Sequence, residues 1–345
     1  MTIQAPAAAP LRLGLIGFGQ LARDYYVPAL QQLDGTRVVA VADPLVESRR
    51  AATARLHGIE VYSDYLTMFE RADLDGVLIA SPPSTHLEVW SDALARRLAV
   101  FVEKPLLLAN QLERLPAGIE PRLMIDFNRR FWPAYARVRE LIRAGAFGRP
   151  VHLDFGLHLD VLRWSRVTRH RLDASEGGVL HDLGSHAIDL ALELIREEPE
   201  GVTAEVCKGD SAEDRLQLRL SFPSGSSASC DIAYGVRTRE WLNVDGPEKT
   251  ARLADPNMAL HIGRPGAARP QLLTWSIDAI SLGYRACRRS RSMARASIGT
   301  ALAAFAHAVR TNTAFVPGFG DGLRNVRWLA AACRSATAGG VTEKA

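Results

Sequence analysis

Asp182 and His186 stand four positions apart in Gly177-Gly178-Val179-Leu180-His181-Asp182-Leu183-Gly184-Ser185-His186. On a helix this spacing puts a carboxylate and an imidazole on one face. The carboxylate can orient the ring, and it can stabilise the ring once protonated. An imidazole with an ordinary pKa of about 6.5 suits the removal or return of a hydroxyl proton near neutrality. Lys104, in Glu103-Lys104-Pro105, offers an ammonium that can hold an oxygen while negative charge develops on it. Pro105 keeps Lys104 extended and so limits where that ammonium points. Plainer readings exist for each group: a satisfied histidine at a helix start, a surface lysine capping a strand, or a metal pair made by carboxylate and imidazole. No third ligand declares itself by spacing, so no metal site is expected. His181 is adjacent to Asp182 and points elsewhere, and Asp189 falls near the face of His186.

A third segment, Gly17-Phe18-Gly19-Gln20-Leu21-Ala22, follows an apolar run at residues 11–16 and opens an amphipathic stretch. Gly17 permits a tight turn, and Gly19 lets the backbone of residues Gly17, Phe18, Gly19, Gln20 and Leu21 approach a pyrophosphate. The small Ala22 lets helix pack on strand, and the helix N-terminus faces the phosphate charge. Asp43 closes the next apolar run, where its carboxylate can accept hydrogen bonds from an adenosine ribose. A carboxylate there repels a 2′-phosphate, so NAD is favoured over NADP. Pro44, Leu45 and Val46 bring no cation beside it, although Arg49 and Arg50 follow a turn later. A dinucleotide loop combined with an amine and an imidazole–carboxylate pair points to a nicotinamide-dependent oxidoreductase.

The elements that must position these groups form two sets. Residues 11–16, 37–42, 76–80, 100–102 and 123–127 read as buried strands, with helical patterns from the glycine loop to about residue 33, at 45–57 and at 86–98. That rhythm specifies an α/β domain with a right-handed, doubly wound parallel sheet. Glu103-Lys104-Pro105 ends one of these strands and so emerges at the carboxyl edge, where such sheets bind ligands. Near Pro150 the pattern changes. Residues 151–161 alternate strictly, with Val151, Leu153, Phe155, Leu157 and Leu159 on one face and His152, Asp154, Gly156, His158 and Asp160 on the other. After a helix beginning near Gly178, strand-like runs follow at 202–208, 215–222, 227–234 and 240–244, and helices at 297–310 and 321–336 close the chain. The second domain is expected to be α+β, an open, mostly antiparallel sheet with helices on one face. The expected boundaries are a disordered tail at 1–10, a dinucleotide-binding domain at 11–128, and a substrate-binding and oligomerisation domain at 129–345, with the C-terminal helices able to pack back on the first domain.

At 345 residues two domains are expected. A formal charge of +4 is small for this length and gives no argument for nucleic acid. No apolar run approaches the roughly 18 residues of a membrane span. The Ala/Pro-rich opening at 1–10 lacks the basic start and apolar core of a signal peptide. Cys207, Cys230, Cys287 and Cys333 show neither metal-like nor redox spacing, which fits reduced thiols in a cytoplasm. A homodimer or homotetramer is expected, with a small molecule as the other partner.

From about residue 11 to 336 the chain resembles the glucose–fructose oxidoreductase / inositol dehydrogenase (Gfo/Idh/MocA) family. The glycine loop, Glu103-Lys104-Pro105, Asn128-Arg129-Arg130-Phe131 and the 177–186 segment occur in the family's order. The resemblance implies a Rossmann domain followed by an open-faced sheet domain. It makes Lys104, Asp182 and His186 the catalytic group. It places Ser81, Pro82, His86, Glu103 and Lys104 beside the cofactor, with Asn128 and Arg130 approaching the substrate cleft. Trp164, with Arg163 and Arg166, either lines that cleft or sits in a partly buried surface loop. The activity implied is hydride transfer between NAD and a secondary alcohol or ketone of a sugar, cyclitol or nucleotide sugar. Two other readings stay open: an NAD-dependent glycosidase with no net redox change, and a non-catalytic NAD-binding regulator. The stretch 279–320 has no acidic residue and holds Arg285, Arg288, Arg289, Arg291, Arg295 and Arg310. These arginines suit either an anionic substrate or a solvated or subunit-facing surface.

Overall fold

Leu11–Ile16 (β1) is a run of apolar residues broken only by Arg12 and Gly14, and Leu13 and Leu15 are almost wholly buried. A strand buried on both faces belongs in the middle of a parallel sheet. A computed structural model of the chain describes residues 9–115, 118, 120–160, 178–208, 213–235, 238–254, 259–266, 271–272 and 290–345. Residues 1–8, Arg163, Trp164, Arg166, Gly177, Arg285, Cys287, Arg288 and Arg289 lie outside the described residues.

The first compact unit comprises the described residues of 1–107, 114–126 and 295–320. Its six strands are β1, β2 (Thr36–Ala42), β3 (Glu60–Tyr62), β4 (Gly76–Ile79), β5 (Ala99–Val102) and β6 (Leu123–Ile125). They pair in parallel in the order β3-β2-β1-β4-β5-β6. The chain moves outward from β1 to β3 and then returns to lay β4 beside β1. That reversal opens a crevice at the carboxyl ends of β1 and β4, the usual ligand position in such sheets. A π-type helical turn, Ala22–Tyr26, runs into α1 (Val27–Leu30), and α2 (Val46–Arg55), α3 (Tyr65–Arg71) and α4 (His86–Ala95) provide the crossovers. Beneath the sheet Phe101 sits edge-on to Tyr26 and Phe305, with ring centroids 5.9 and 5.5 Å apart. Each such aromatic pair contributes about 0.5–1.5 kcal/mol beyond its area burial.

The second unit comprises the described residues of 108–113, 127–294 and 321–345. Its eight strands are β7 (His152–Leu159), β8 (Gly201–Lys208), β9 (Glu213–Ser221), β10 (Ser227–Tyr234), β11 (Arg239–Asp245), β12 (Thr250–Ala254), β13 (Ala259–Gly263) and β14 (Gln271–Leu272). They run in the order β14-β13-β12-β11-β7-β10-β9-β8, and the β7–β10 pair alone is parallel. On β7 the alternation read from the sequence holds as far as Phe155, with Leu153 and Phe155 buried and His152 and Asp154 exposed, whereas Gly156, read on the polar face, is buried beside Leu157. Gly156 is required by packing, because a Cβ there would lie 1.9 Å from the ring of cross-strand Trp241. The helices of this unit are α5 (Pro133–Arg143), α6 (Ser185–Ile195) and α8 (Phe319–Thr337, from Asp321 onward), and α7 (Ser290–Thr311) belongs to the first unit from Arg295. Ile188, Leu192 and Ile195 of α6 join Tyr135 and Val138 of α5, Trp328 and Leu329 of α8, and Phe155, Leu218 and Ile232 of the sheet in one core. Each fully buried aliphatic side chain there contributes about 1.5–3 kcal/mol. The expected architecture, a doubly wound parallel sheet followed by a mostly antiparallel one, is therefore present.

Candidate active site

The glycine turn sits at the predicted end of β1. Gly17 has φ +85°, a conformation that strains any residue with a Cβ, and a Cβ at that position would lie 2.7 Å from the Ala80 carbonyl oxygen. Strand β1 thus presses against the residue that follows β4. At Gly19 a Cβ would meet nothing within 4 Å, so the backbone there faces open space at the start of the helical turn. Asp43, at the end of β2, is buried, and its Oδ2 and Oδ1 accept the Phe18 and Leu45 N–H groups at 2.7 and 2.8 Å. An ionised carboxylate has about four acceptor positions, so two remain for ribose hydroxyls. Arg49 donates instead to the backbone carbonyls of Asp43 and Pro44, at 2.7 and 2.9 Å. The open Gly19, the adjoining helix start and the anchored carboxylate fit a dinucleotide.

Two variants separate the roles of the glycines. Gly17→Ala is expected to lower Tm and to weaken NADH binding at least about tenfold, because left-handed backbone costs an L-residue about 1–2 kcal/mol and the new methyl strikes backbone. Gly19→Ala is expected to weaken NADH binding comparably while leaving Tm near wild type, since its methyl meets no protein atom. NADH fluorescence titration and thermal melts read both effects, and wild-type NADH affinity in Gly19→Ala contradicts the phosphate cradle.

The turn after β5 is tied down from two sides. His86 opens α4 with its ring fully buried, Nδ1 lying 2.8 Å from the Pro105 carbonyl oxygen and Nε2 3.0 Å from that of Ser81. The imidazole ring thus sits between the backbone carbonyls of the loops that carry Ser81 and Lys104. Ser81 Oγ is 2.7 Å from Thr85 Oγ1, and Pro82 is exposed. Glu103 Oε1 accepts the Tyr26 hydroxyl at 2.6 Å, and Lys104 is half-buried.

In the second unit Asp182 lies in a π-type turn, Leu180–Gly184, that continues into α6. His186 is 6% exposed, one turn beyond Asp182. The start of this helix is held by Asn325 of α8, whose amide donates to the Ser185 carbonyl at 2.8 Å, and by Ser185 Oγ, which donates to the Asp182 carbonyl at 2.9 Å. The Asp182 carboxylate accepts the Tyr234 hydroxyl at 2.5 Å. It also lies close enough to Arg129 to help raise that guanidinium's pKa. His181 turns away, its Nε2 3.9 Å from Cys333 Sγ. Sequence reasoning missed Tyr234, because nothing in β10 signals a hydroxyl aimed at a residue 52 positions earlier.

Asn128 is half-buried in the turn Asn128–Phe131. Arg130 is buried beside it. Its Nε contacts both Asp189 oxygens at 3.1 and 3.0 Å, Nη2 bonds Asp189 at 2.6 Å and Asp321 at 3.0 Å, and Nη1 lies 3.3 Å from Glu193. All three nitrogens contact carboxylates of the second unit, so the guanidinium is held in an ion-pair network. Arg295 and Arg310, two members of the arginine-rich stretch, donate to the backbone carbonyls of Asp24 and Gly35 in the first unit.

Residues 11–117 match the GFO/IDH/MocA oxidoreductase family, described as an NAD-binding Rossmann fold, and residues 135–252 match the GFO/IDH/MocA C-terminal domain. Rhizopine catabolism protein MocA of Rhizobium meliloti is 32% identical over 230 residues, covering 63% of this chain and 69% of that protein. D-apiose dehydrogenase of Paraburkholderia graminis is 30% identical over 281 residues, covering 76% and 73%. The chain belongs to the Gfo/Idh/MocA family. The solved structure of levoglucosan dehydrogenase with NADH shares the family fold, with a TM-score of 0.81 at 19% identity over 97% of this chain and all of the other. Family membership makes the protein an NAD-dependent oxidoreductase, and the glycine turn and Asp43 are the features of its first unit that fit that cofactor. Among the described residues no helix is long and apolar enough to cross a membrane.

Proposed function

We propose that this protein oxidises a secondary alcohol on a polyhydroxylated, sugar-like ring, or reduces the matching ketone, with Lys104, Asp182 and His186 as the catalytic group. The observation that carries the reading is the Asp182 carboxylate held by the Tyr234 hydroxyl in the helical run that also carries the buried His186. Asp182 is fixed by the Tyr234 hydroxyl and sits in the field of Arg129, and both favour a negative charge on it. His186, buried one turn away, takes the hydroxyl proton, and Asp182 stabilises the imidazolium that results. The Lys104 ammonium holds the substrate oxygen and offsets its developing charge. NAD, when bound, supplies the hydride acceptor or donor. The anchored Asp43 disfavours the 2′-phosphate of NADP. Relatives named for D-apiose and fold neighbours named for levoglucosan support a sugar-like substrate.

The test is a panel of sugars, cyclitols and nucleotide sugars incubated with the protein and NAD, read by NADH absorbance. At least one polyol is expected to give NADH in proportion to ketone formed. Glycan release without net NADH, or binding without turnover across the panel, overturns the reading. We also read the protein as a cytoplasmic homodimer or homotetramer. The described cysteines Cys207, Cys230 and Cys333 are free thiols, which suits a reducing compartment, and light scattering measures the assembly.

A further inference from the structure

The first unit holds a constellation beneath Lys104 that the proposed chemistry does not use. Strands β5 and β6 pair with Val102 opposite Ile125, so the next residue on each, Glu103 and Asp126, emerge side by side. The Asp126 N–H extends the ladder to the Val102 carbonyl at 2.8 Å. Tyr26, from the helical turn after the glycine loop, reaches both carboxyls: its hydroxyl lies 2.6 Å from Glu103 Oε1 and 3.1 Å from Asp126 Oδ2. Tyr26 and Asp126 are both wholly buried.

A phenol has one proton and can satisfy only one of two acceptors. The shorter contact assigns that proton to Glu103. Two ionised carboxylates adjacent in a buried site repel each other strongly, and a proton shared between them removes the conflict. Asp126 Oδ1 is buried and has no hydrogen-bond donor among the described residues. A neutral carbonyl oxygen bears that position at far lower cost than half of a carboxylate charge.

We propose that Glu103 and Asp126 hold one proton between them, and that the single negative charge left on the pair, anchored by Tyr26, is a positioning device for Lys104. The described groups facing Asp126 are Glu103 and Lys104 from the end of β5 and Tyr26 from the helical turn. Burial first, then the charge and hydrogen bond of Glu103, push the Asp126 carboxyl well up, and the Tyr26 bond and the Lys104 charge only partly oppose them. Burial pushes the Tyr26 hydroxyl up as well, so it stays a donor. Glu103 is joined to the turn it precedes, since the Lys104 N–H points at its Oε2 at 3.3 Å. One negative charge balances the ammonium of Lys104. Loss of the shared proton at high pH adds a second charge and draws the ammonium back toward the carboxyls.

This inference rests on the catalytic role of Lys104, and its tests are read separately from that role. Infrared difference spectra of the full-length protein at about pH 8 are expected to show a protonated carboxyl C=O band that Asp126→Asn removes, a readout that needs no turnover. A group held protonated by the fold above its ordinary range makes the fold lose stability as pH rises toward its folded pKa. The Tm gain of Asp126→Asn is therefore expected to be small at about pH 5 and larger at about pH 8. In turnover, Asp126→Ala is expected to lower kcat about tenfold, with Asp126→Asn restoring most of it and shifting the alkaline limb of the kcat profile upward, because the amide keeps a neutral donor to Glu103. Absence of the band, a pH-independent Tm gain, or an Asn variant as impaired as Ala overturns the proposal. Wild-type turnover in Lys104→Ala with the band intact instead overturns the function assigned to the lysine.

Discussion

Replacing Lys104 with alanine is expected to lower kcat by about 10²–10³-fold, the usual effect of deleting one preorganised donor to a developing oxyanion. His186→Ala is expected to lower it by about 10²–10⁴-fold, the usual worth of a positioned general base. Neither side chain takes part in the phosphate cradle at Gly17 and Gly19 or in the Asp43 anchor, so NADH affinity is expected to stay within about threefold of wild type in both variants. The contrast between lost turnover and retained binding separates these residues from Gly17 and Asp43. If both act on one hydroxyl, the double variant loses less than the product of the single losses, because a group that stabilises the alkoxide gains little once nothing removes its proton. Stopped-flow hydride transfer with the best substrate of the panel, beside NADH fluorescence titration, supplies every term. Wild-type-like turnover in either single variant contradicts the assignment. A fully multiplicative double variant contradicts the shared hydroxyl.

The parallel sheet was legible because β1, β4 and β5 are apolar runs buried on both faces, a pattern with few alternatives once glycines and helical stripes separate them. Strand β3 and helix α3 were not legible. Glu60 and Val61 of this edge strand are exposed, and α3 buries only Met68, so neither leaves a periodic apolar signal. Strand β12 contributes just Ala251 and Leu253 to the core, too little for alternation to show. The Asp182–His186 spacing was read on α-helical geometry, whereas the chain makes a π turn through Asp182. Composition does not announce such a turn. Both residues still belong to one continuous helical run. What the sequence concealed most fully are polar contacts between distant positions. Tyr26 meets Asp126 across 100 residues, and Arg130 meets Asp189 across 59. A motif gives the charge of Arg130. Which carboxylate takes that charge is decided by tertiary packing.

Arg130→Met is expected to be among the most destabilising single changes in the second unit. The Arg130 side chain is 6% exposed and Asp189 2%, so removing the guanidinium leaves a carboxylate with neither water nor cation. Breaking a buried pair from one side costs about 3–5 kcal/mol. Glu193 keeps Arg143 at 2.8 Å and Arg139 at 3.5 Å, and Asp321 is 36% exposed, so the loss concentrates on Asp189. At about 2–4 °C per kcal/mol for a unit of this size, Tm is expected to fall by roughly 6–20 °C near pH 8. The loss depends on pH with a definite sign. Burial raises the Asp189 carboxyl to about 6 even with Arg130 pulling it down, and deleting the arginine removes that opposition and raises it further. The folded variant then keeps a proton that the unfolded chain releases in the ordinary carboxylate range, so protonation favours the fold as pH falls. The deficit is therefore largest near pH 8 and shrinks toward about pH 5. Arg130→Met combined with Asp189→Leu is expected to recover most of the loss, since replacing both members of a buried pair with apolar groups is often neutral. Thermal unfolding of the full chain at both pH values decides: a loss under about 1 kcal/mol near pH 8, or a deficit that grows on acidification, shows that Asp189 does not depend on Arg130.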